Sequence, residues 1–429
     1  MDIQVCNYAL RTEDRRAAFV RRTGGLSRIS SIQDVVDWGL CIGCGVCAYA
    51  CERGAVRLIN IHSVGIRPQI EAPCGAGCDC IHLCPGAGVD VSSTGQHTPK
   101  SEPDHEYGEA LEIWSGFATD PAIRYKASSG GLLTALSSYC LDREGFGFIL
   151  HTGKDPAKPW QNATVQSASR DELLERAGSR YGPSSPCDGL GLIEHSQTPA
   201  VFVGKPCDVA AVQAARKNRP ALDKNLGLVL TFFCAGTPST QGTLDLVSAL
   251  RADKDNLVDL RYRGEGWPGR FTAVWDRWKQ QNSMSYQESW GKLTGYRPLR
   301  CNLCPDGLGR VADISCGDAW DQYDAALPNP GISIVLVRSR RGQEILRRAA
   351  AAGYVTLFPA SPSAVLAAQT HLLRRRRELF GRLLALRLLG IPTPNFRGFS
   401  LLRGWLKLPF SGKLRTLAGT LRRAVRRGW

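Results

Sequence analysis

The sequence lacks any uninterrupted apolar run of about eighteen residues, so no segment is expected to cross a bilayer as a helix. Its opening, MDIQVCNYALRTEDRR, has no apolar stretch of the secretory-signal kind. Acidic residues are almost missing from one region: between His371 and Trp429 stand fifteen Lys or Arg and a single acid, Glu378. The first 370 residues carry 39 basic and 38 acidic side chains, so the body lacks net charge and nearly all of the formal +15 belongs to the tail. A body without positive charge argues against a nucleic-acid face, and any electrostatic role falls to the last sixty or so residues.

What is abundant is cysteine, with 16 in 429 residues. The cysteines are clustered, which points to metal rather than a disulfide framework, and so to a soluble protein of a reducing compartment, the cytoplasm. With 43% apolar residues the chain can build two or three domains.

CIGCGVCAYAC places Cys41, Cys44, Cys47 and Cys51 at C-x2-C-x2-C-x3-C, the spacing of half a bacterial ferredoxin. Three thiolates at x2 steps wrap one cube, Gly43 and Gly45 allow the wrap, and the fourth points to a second cluster. A tetrahedral zinc site instead pairs two C-x2-C knuckles across a longer gap, so iron–sulfur is favoured over zinc. Glu52 stands where proline is usual; that proline shapes a turn and is no ligand. The second group, PCGAGCDCIHLCPG, carries Cys74, Cys78, Cys80 and Cys84 and ends like a ferredoxin motif but starts with altered spacing. By analogy, Cys41, Cys44, Cys47 and Cys84 hold one 4Fe–4S cluster, and Cys51, Cys74, Cys78 and Cys80 a second. A small ferredoxin-like domain is expected over 31–95, followed by a polar linker at 96–110.

In the body, Ser128, Ser129, Gly130 and Gly131 open a helix that also carries Thr134. Such a start can hold a phosphate, although ordinary capping explains it equally. AVFVGKPC (200–207) and LGLVLTFFCAGTPS (226–239) are apolar strands that each deliver a cysteine before a helix, implying parallel pairing with Cys207 and Cys234 at the strand ends. RCNLCPDG adds Cys301 and Cys304. Either these four thiols form one more site, or two are structural and two are half a zinc knuckle; spacing leaves both open. Cys140 is expected in the core, Cys187 and Cys316 in loops that could lie near a site, and Cys6 is unassigned. Lys205 reads first as an exposed turn lysine and second as a cation beside a cluster loop. LRYRGEGWPGRFTAVWDRW reads as a Gly-rich turn entering a strand, rather than as a nucleic-acid surface.

These stretches together resemble the coenzyme F420 hydrogenase/dehydrogenase beta-subunit family: SSGGLLTAL, AGSRYGPS, VGKPCDVAAV, FFCAGTPS, YRGEGWPG, CNLCPDG and ADISCGDAW, in the family's order over about 110–360. The resemblance implies FAD and a 4Fe–4S cluster on Cys207, Cys234, Cys301 and Cys304. It places the Ser128–Gly131 helix start beside the FAD pyrophosphate and Ser179, Arg180 and Tyr181 along the flavin, with Lys205 nearby. It further implies electron exchange between clusters and FAD, and hydride exchange with a soluble donor or acceptor such as coenzyme F420. Pigment-reducing relatives have a differently spaced N-terminal cysteine segment, and the intact spacing here argues against that branch. A redox partner protein or ferredoxin is implied, and a relay subunit without its own substrate is the alternative to an enzyme.

The expected architecture is α+β: the ferredoxin-like domain, an α/β flavin and iron–sulfur domain over 111–360, and a basic helical tail over 361–429. LLRRRRELFGRLLALRLLG and KLRTLAGTLRRAVRR read as amphipathic helices suited to an anionic membrane, an acidic partner, or a plain solvated face.

Overall fold

The structure is a computed structural model describing residues 29–72, 80–92, 101–276, 278–324 and 330–426. Cys6, Cys74 and Cys78 therefore lie outside the described residues.

The N-terminal segment starts with a helix, Ile32–Asp37, capped by Ser31 and Asp34 in a reciprocal capping box. The cysteine loop follows. Gly43 and Gly45 both have positive φ, and a Cβ on either would lie 2.8 Å from a backbone atom, of Ile66 and Asp188 respectively, so only glycine fits there. Strands β1 (Val56–Ile61) and β2 (Gly65–Ile70) form an antiparallel hairpin. Strand β3 (Gly88–Asp90) comes after the second cysteine group.

The body is built on strands β4 (Glu112–Ala118), β5 (Phe148–Lys154), β6 (Asn162–Ser167), β7 (Ala200–Gly204) and β8 (Leu226–Phe232), with helices α1 (Leu132–Arg143), α2 (Pro206–Arg216) and α3 (Thr240–Ala249). Strands β9 (Leu257–Arg261), β10 (Arg270–Trp275) and β11 (Gln280–Ser285) make a separate antiparallel sheet. The Gly-rich turn expected before FTAVW thus does lead into a strand. Strands β12 (Ile314–Asp318), β13 (Ser333–Val337) and β14 (Val355–Pro359), with helix α4 (Arg340–Ala351), complete the main sheet. Its eight strands run in the order β14-β4-β13-β12-β8-β7-β5-β6. The middle, β5-β7-β8-β12, is parallel, and the flanks are antiparallel.

The apolar runs of β7 and β8 follow from burial on both faces. With period two, Val201, Leu228 and Leu230 enter one core with Leu132, Leu136 and Ile345. Phe202 and Val229 enter the other with Val209 and Val212 of α2. Cys140 lies in the first of these cores. Cys316 sits on β12 itself, not in a loop, and is buried.

After a helix at Pro362–Ala368 the tail forms α5 (Thr370–Leu388), strand β15 (Asn395–Arg397), α6 (Leu401–Leu406) and α7 (Phe410–Arg426). Strand β15 pairs in parallel with β3. Leu379, Leu383 and Leu386 of α5 share a core with Val35, Trp38, Leu40, Cys41 and Cys47. Among the described residues no helix is long and apolar enough to cross a membrane.

Two expectations change. The arginine run 374–377 is not a free basic face. Arg375 donates to Cys234 O at 2.9 Å and Ala235 O at 2.6 Å, Arg376 is buried against Glu106 O, and Arg377 pairs with the Glu106 carboxylate at 3.0 Å. Four consecutive residues on a helix sweep round its circumference, so three of these point at carbonyl and carboxylate oxygens of the body. Those oxygens explain the other change: inside the polar stretch 96–110 lies a helix, Glu102–Tyr107, with Glu106 and Tyr107 buried. Its carbonyls also accept from Arg310 and Arg338. The polar residues that suggest a linker are acceptors for buried arginines.

Candidate metal centre

At the carboxyl ends of β7 and β8 the chain turns and presents Cys207 and Cys234. The short helix Leu299–Asn302 presents Cys301, and Cys304 follows it. All four thiols line one cavity. A Cβ at Gly236 would lie 2.5 Å from Arg297 Cδ, so the turn carrying Cys234 needs a glycine to close over this cavity. Thr237 N–H donates to Cys301 Sγ at 3.4 Å, and Cys304 Sγ–H donates to Asp306 O at 3.1 Å. Burial pushes the Cys234 thiol up to about 12, helped by Cys301 and Cys304, and it pushes Cys207 up as well. Crowded, buried thiols resist ionisation in the absence of a strong positive charge, and multiply charged iron supplies one. The donor set of the cavity therefore suits an iron–sulfur group.

Among the described residues, no group of three or more His, Cys, Asp or Glu side chains is placed to hold a single ion.

The other wall of the cavity is Ile42 and Val64–Arg67, from the ferredoxin-like segment. There Cys41, Cys44, Cys47 and Cys84 come together: burial first, and then the thiols of this set, raise both Cys47 and Cys84. Cys80 also acts on Cys47. Gly43 N–H donates to Cys41 Sγ at 3.4 Å. Cys51 is half-buried, while Glu52 is exposed and faces Arg219 at 3.9 Å.

Three residues outside the cysteine spacing connect the two thiol sets. Arg67 is buried, lines the cavity and acts on Cys41; its terminal nitrogens donate to Ile66 O at 2.7 Å and Val64 O at 3.1 Å, and its Nε has no hydrogen-bond partner. Cys187 donates its N–H to Cys44 O at 3.0 Å and its thiol to Asp208 O at 3.5 Å. Lys205 is not an exposed turn lysine. It is buried, with Nζ 2.8 Å from both Asp208 Oδ2 and Ser184 Oγ. Burial opposes its charge, but Asp208 first, and Cys207 and Cys234 when they are thiolates, outweigh that and hold it as the ammonium. Apolar patterning could not reveal these placements, since each also depends on a contact with another segment of the chain.

The remaining motifs meet around the end of β12 and the start of β13, which pair at Asp318 and Ser333. Ser128 Oγ accepts from Ser179 N–H, Ser129 Oγ lies 2.8 Å from Ser333 Oγ, and Gly130 N–H donates to Ser333 Oγ at 2.9 Å. Gly131 caps α1 without a side-chain bond, and Thr134 is half-buried in its first turn. Arg180 gives its donors to Asn162 Oδ1 and to the carbonyls of Pro159, Gln161 and Leu260. Tyr181 packs on Tyr262 and Trp290. Arg263 forms a bidentate pair with Asp318 at 2.9 and 2.6 Å, and Trp267 Nε1 donates to the same carboxylate at 2.6 Å. The guanidinium lies over Tyr286 and Trp320, and Trp320 stacks between Trp267 and Tyr286. The arginine–aromatic mixture of RYRGEGWPG is therefore used inside the protein.

A 4Fe-4S binding domain model matches residues 34–57. The coenzyme F420 hydrogenase subunit beta of Methanosarcina barkeri is 27% identical over 264 residues, 60% of this chain and 84% of that protein. The F420-dependent formate dehydrogenase 1 subunit beta of Methanococcus maripaludis is 27% identical over 58% of this chain and 62% of that protein. A chain of the F420-reducing [NiFe] hydrogenase complex from Methanosarcina barkeri superposes with a TM-score of 0.51 at 22% identity, covering 66% of this chain and 91% of that one. Models for the N-terminal and C-terminal parts of the coenzyme F420 hydrogenase/dehydrogenase beta subunit match residues 113–190 and 199–363, and the chain belongs to that family.

Proposed function

We propose that the chain is an iron–sulfur flavoprotein oxidoreductase of the cytoplasm. In this reading 4Fe–4S clusters sit on Cys41, Cys44, Cys47 and Cys84 and on Cys207, Cys234, Cys301 and Cys304. A further cluster would use Cys51 and Cys80 with Cys74 and Cys78. FAD would exchange hydride with a soluble donor or acceptor such as coenzyme F420. The carrying observation is that the cavity lined by Cys207, Cys234, Cys301 and Cys304 is walled by Ile42 and Val64–Arg67, from the segment that carries the other thiols. When bound, the cubes supply single-electron transfer and the flavin converts single electrons into pairs.

The chain's own residues do the rest. The ends of β7 and β8 present Cys207 and Cys234, the helix Leu299–Asn302 and the turn after it bring Cys301 and Cys304, the β1–β2 hairpin covers them, and Lys205 places a cation beside Cys207 and Cys234. For FAD, the uncapped start of α1 at Gly131 offers backbone donors suited to a pyrophosphate. Ser129 and Gly130 lock that loop to Ser333, and Arg180 holds the segment beside it by its carbonyl contacts. A second reading, a relay subunit for a redox partner or ferredoxin, draws on relatives named as beta subunits.

Protein purified without oxygen is expected to be brown, to contain iron and sulfide, and to release flavin in acid. Colourless protein carrying zinc overturns the iron reading, and iron without flavin leaves the relay. Arg67→Gln is expected to lower the potential of the neighbouring clusters by on the order of 60 mV, a tenfold change for a one-electron couple, without changing iron content. Potentiometric titration followed by electron paramagnetic resonance measures this, and an unchanged potential removes Arg67 from the tuning set.

A further inference from the structure

We propose that the outward faces of α6 and α7 dock on an anionic membrane surface, an inference independent of the cofactor reading. Helix α7 is built inside out. The residues it buries are small and recur every fourth position: Gly412, Thr416, Thr420 and Ala424. Thr416 and Thr420 turn their hydroxyls back to Gly412 O and Thr416 O, each at 2.8 Å, so no polar atom is left facing the contact. The approach to α5 is close, since a Cβ at Gly381 would come within 3.1 Å of Thr416 Cγ2. Large apolar side chains face outward: Phe410 is 75% exposed and Val425 72%, with Leu414 between them, while Leu417 and Leu421 are half-buried. Helix α6, also packed on α5, exposes Leu402 and Leu406. A helix that ends its contacts at its own protein puts its large apolar residues inward. Seven of the fourteen large apolar side chains exposed among the described residues fall between Leu388 and Val425, so the exposure is concentrated rather than scattered.

The charge around this face selects the occupant. Arg415, Arg422 and Arg423 are exposed beside it, Arg403 and Lys407 pair with Glu102 of the body, and no Asp or Glu follows Glu378. A protein surface generally mixes both signs. The surface matching an apolar row edged with the arginines of α7 is one of uniform negative charge that accepts Leu and Phe below it, the headgroup region of an anionic bilayer. The family models end at residue 363, before these helices begin.

Flotation of the full-length protein with phosphatidylglycerol–phosphatidylcholine vesicles, against phosphatidylcholine alone, tests this. Wild-type protein is expected to float with the anionic vesicles and to be released by salt. Leu406→Asp/Phe410→Asp is expected to abolish flotation, and Arg415→Gln/Arg422→Gln to weaken it roughly tenfold. Both variants should keep the wild-type circular dichroism, because the changed side chains face outward. Wild-type protein that stays unbound at low salt, or variants that float like it, overturn the proposal. So does a wild-type dimer that either variant dissociates, since a second copy would then cover the face.

Discussion

Cys301→Ser is expected to remove about four irons per chain, one whole cluster, and to leave the iron of the N-terminal segment in place. Cys301 stands on the short helix Leu299–Asn302 and lines the same cavity as Cys207, Cys234 and Cys304. The other set sits in the segment that begins at Cys41. A serine hydroxyl does not ionise near neutral pH and is a poor ligand for iron, so three thiolates would hold the cube weakly. Cys316→Ser is the control: Cys316 is buried on β12, and burial is what raises its thiol. It should lose some stability and no iron. Iron and sulfide assays on both variants decide the outcome. Equal iron in Cys301→Ser and wild type would show that the quartet does not bind the cluster.

Asp318→Ala is expected to destabilise the fold by about 3–5 kcal/mol, because it strands a buried guanidinium. Arg263 has only 2% of its side chain exposed, and Asp318 accepts from both of its terminal nitrogens and from Trp267 Nε1. The remaining bonds, from Arg263 Nε to Pro268 O at 2.8 Å and from a terminal nitrogen to Tyr181 Oη at 3.4 Å, carry no negative charge. Asp318→Asn keeps an acceptor and should cost less. Arg263→Met/Asp318→Leu should recover much of the loss, because it removes both charges together. Thermal unfolding of the three variants at one pH measures the series. A loss below about 0.5 kcal/mol in Asp318→Ala would place it among ordinary surface substitutions, against the burial of the pair.

The cysteine spacing at 41–51 made the ferredoxin-like loop legible, since a cube wrapped by one short loop leaves a local signature that needs no distant partner. Strands β7 and β8 were legible for the same reason: unbroken apolar runs ending in Gly and Pro turns are set by burial on both faces. The joining of Cys207 and Cys234 with Cys301 and Cys304 was only half legible. The strands indicate that two cysteines share a sheet end, but nothing local says that a helix about seventy residues later closes the set.

The tail shows where composition misleads. LLRRRRELFG has the make-up of a basic amphipathic helix, yet Arg375, Arg376 and Arg377 face the body. KLRTLAGTLRRAVRR has the same make-up and turns its large apolar residues outward. Which side of a helix is covered depends on what docks there, and that partner is not written in the helix.

By itself the sequence determined the thiol loops, the parallel strands and the sites where only glycine fits, because each follows from short-range sterics or from a repeating pattern of burial. The tertiary structure alone decided that Arg67 and Lys205 are buried beside the thiols, that Cys187 links Cys44 to Asp208, and which face of α7 is left open. Those outcomes come from contacts between separate segments of the chain, or from the packing of whole helices, where the energy lies in a complementarity that neither segment carries alone.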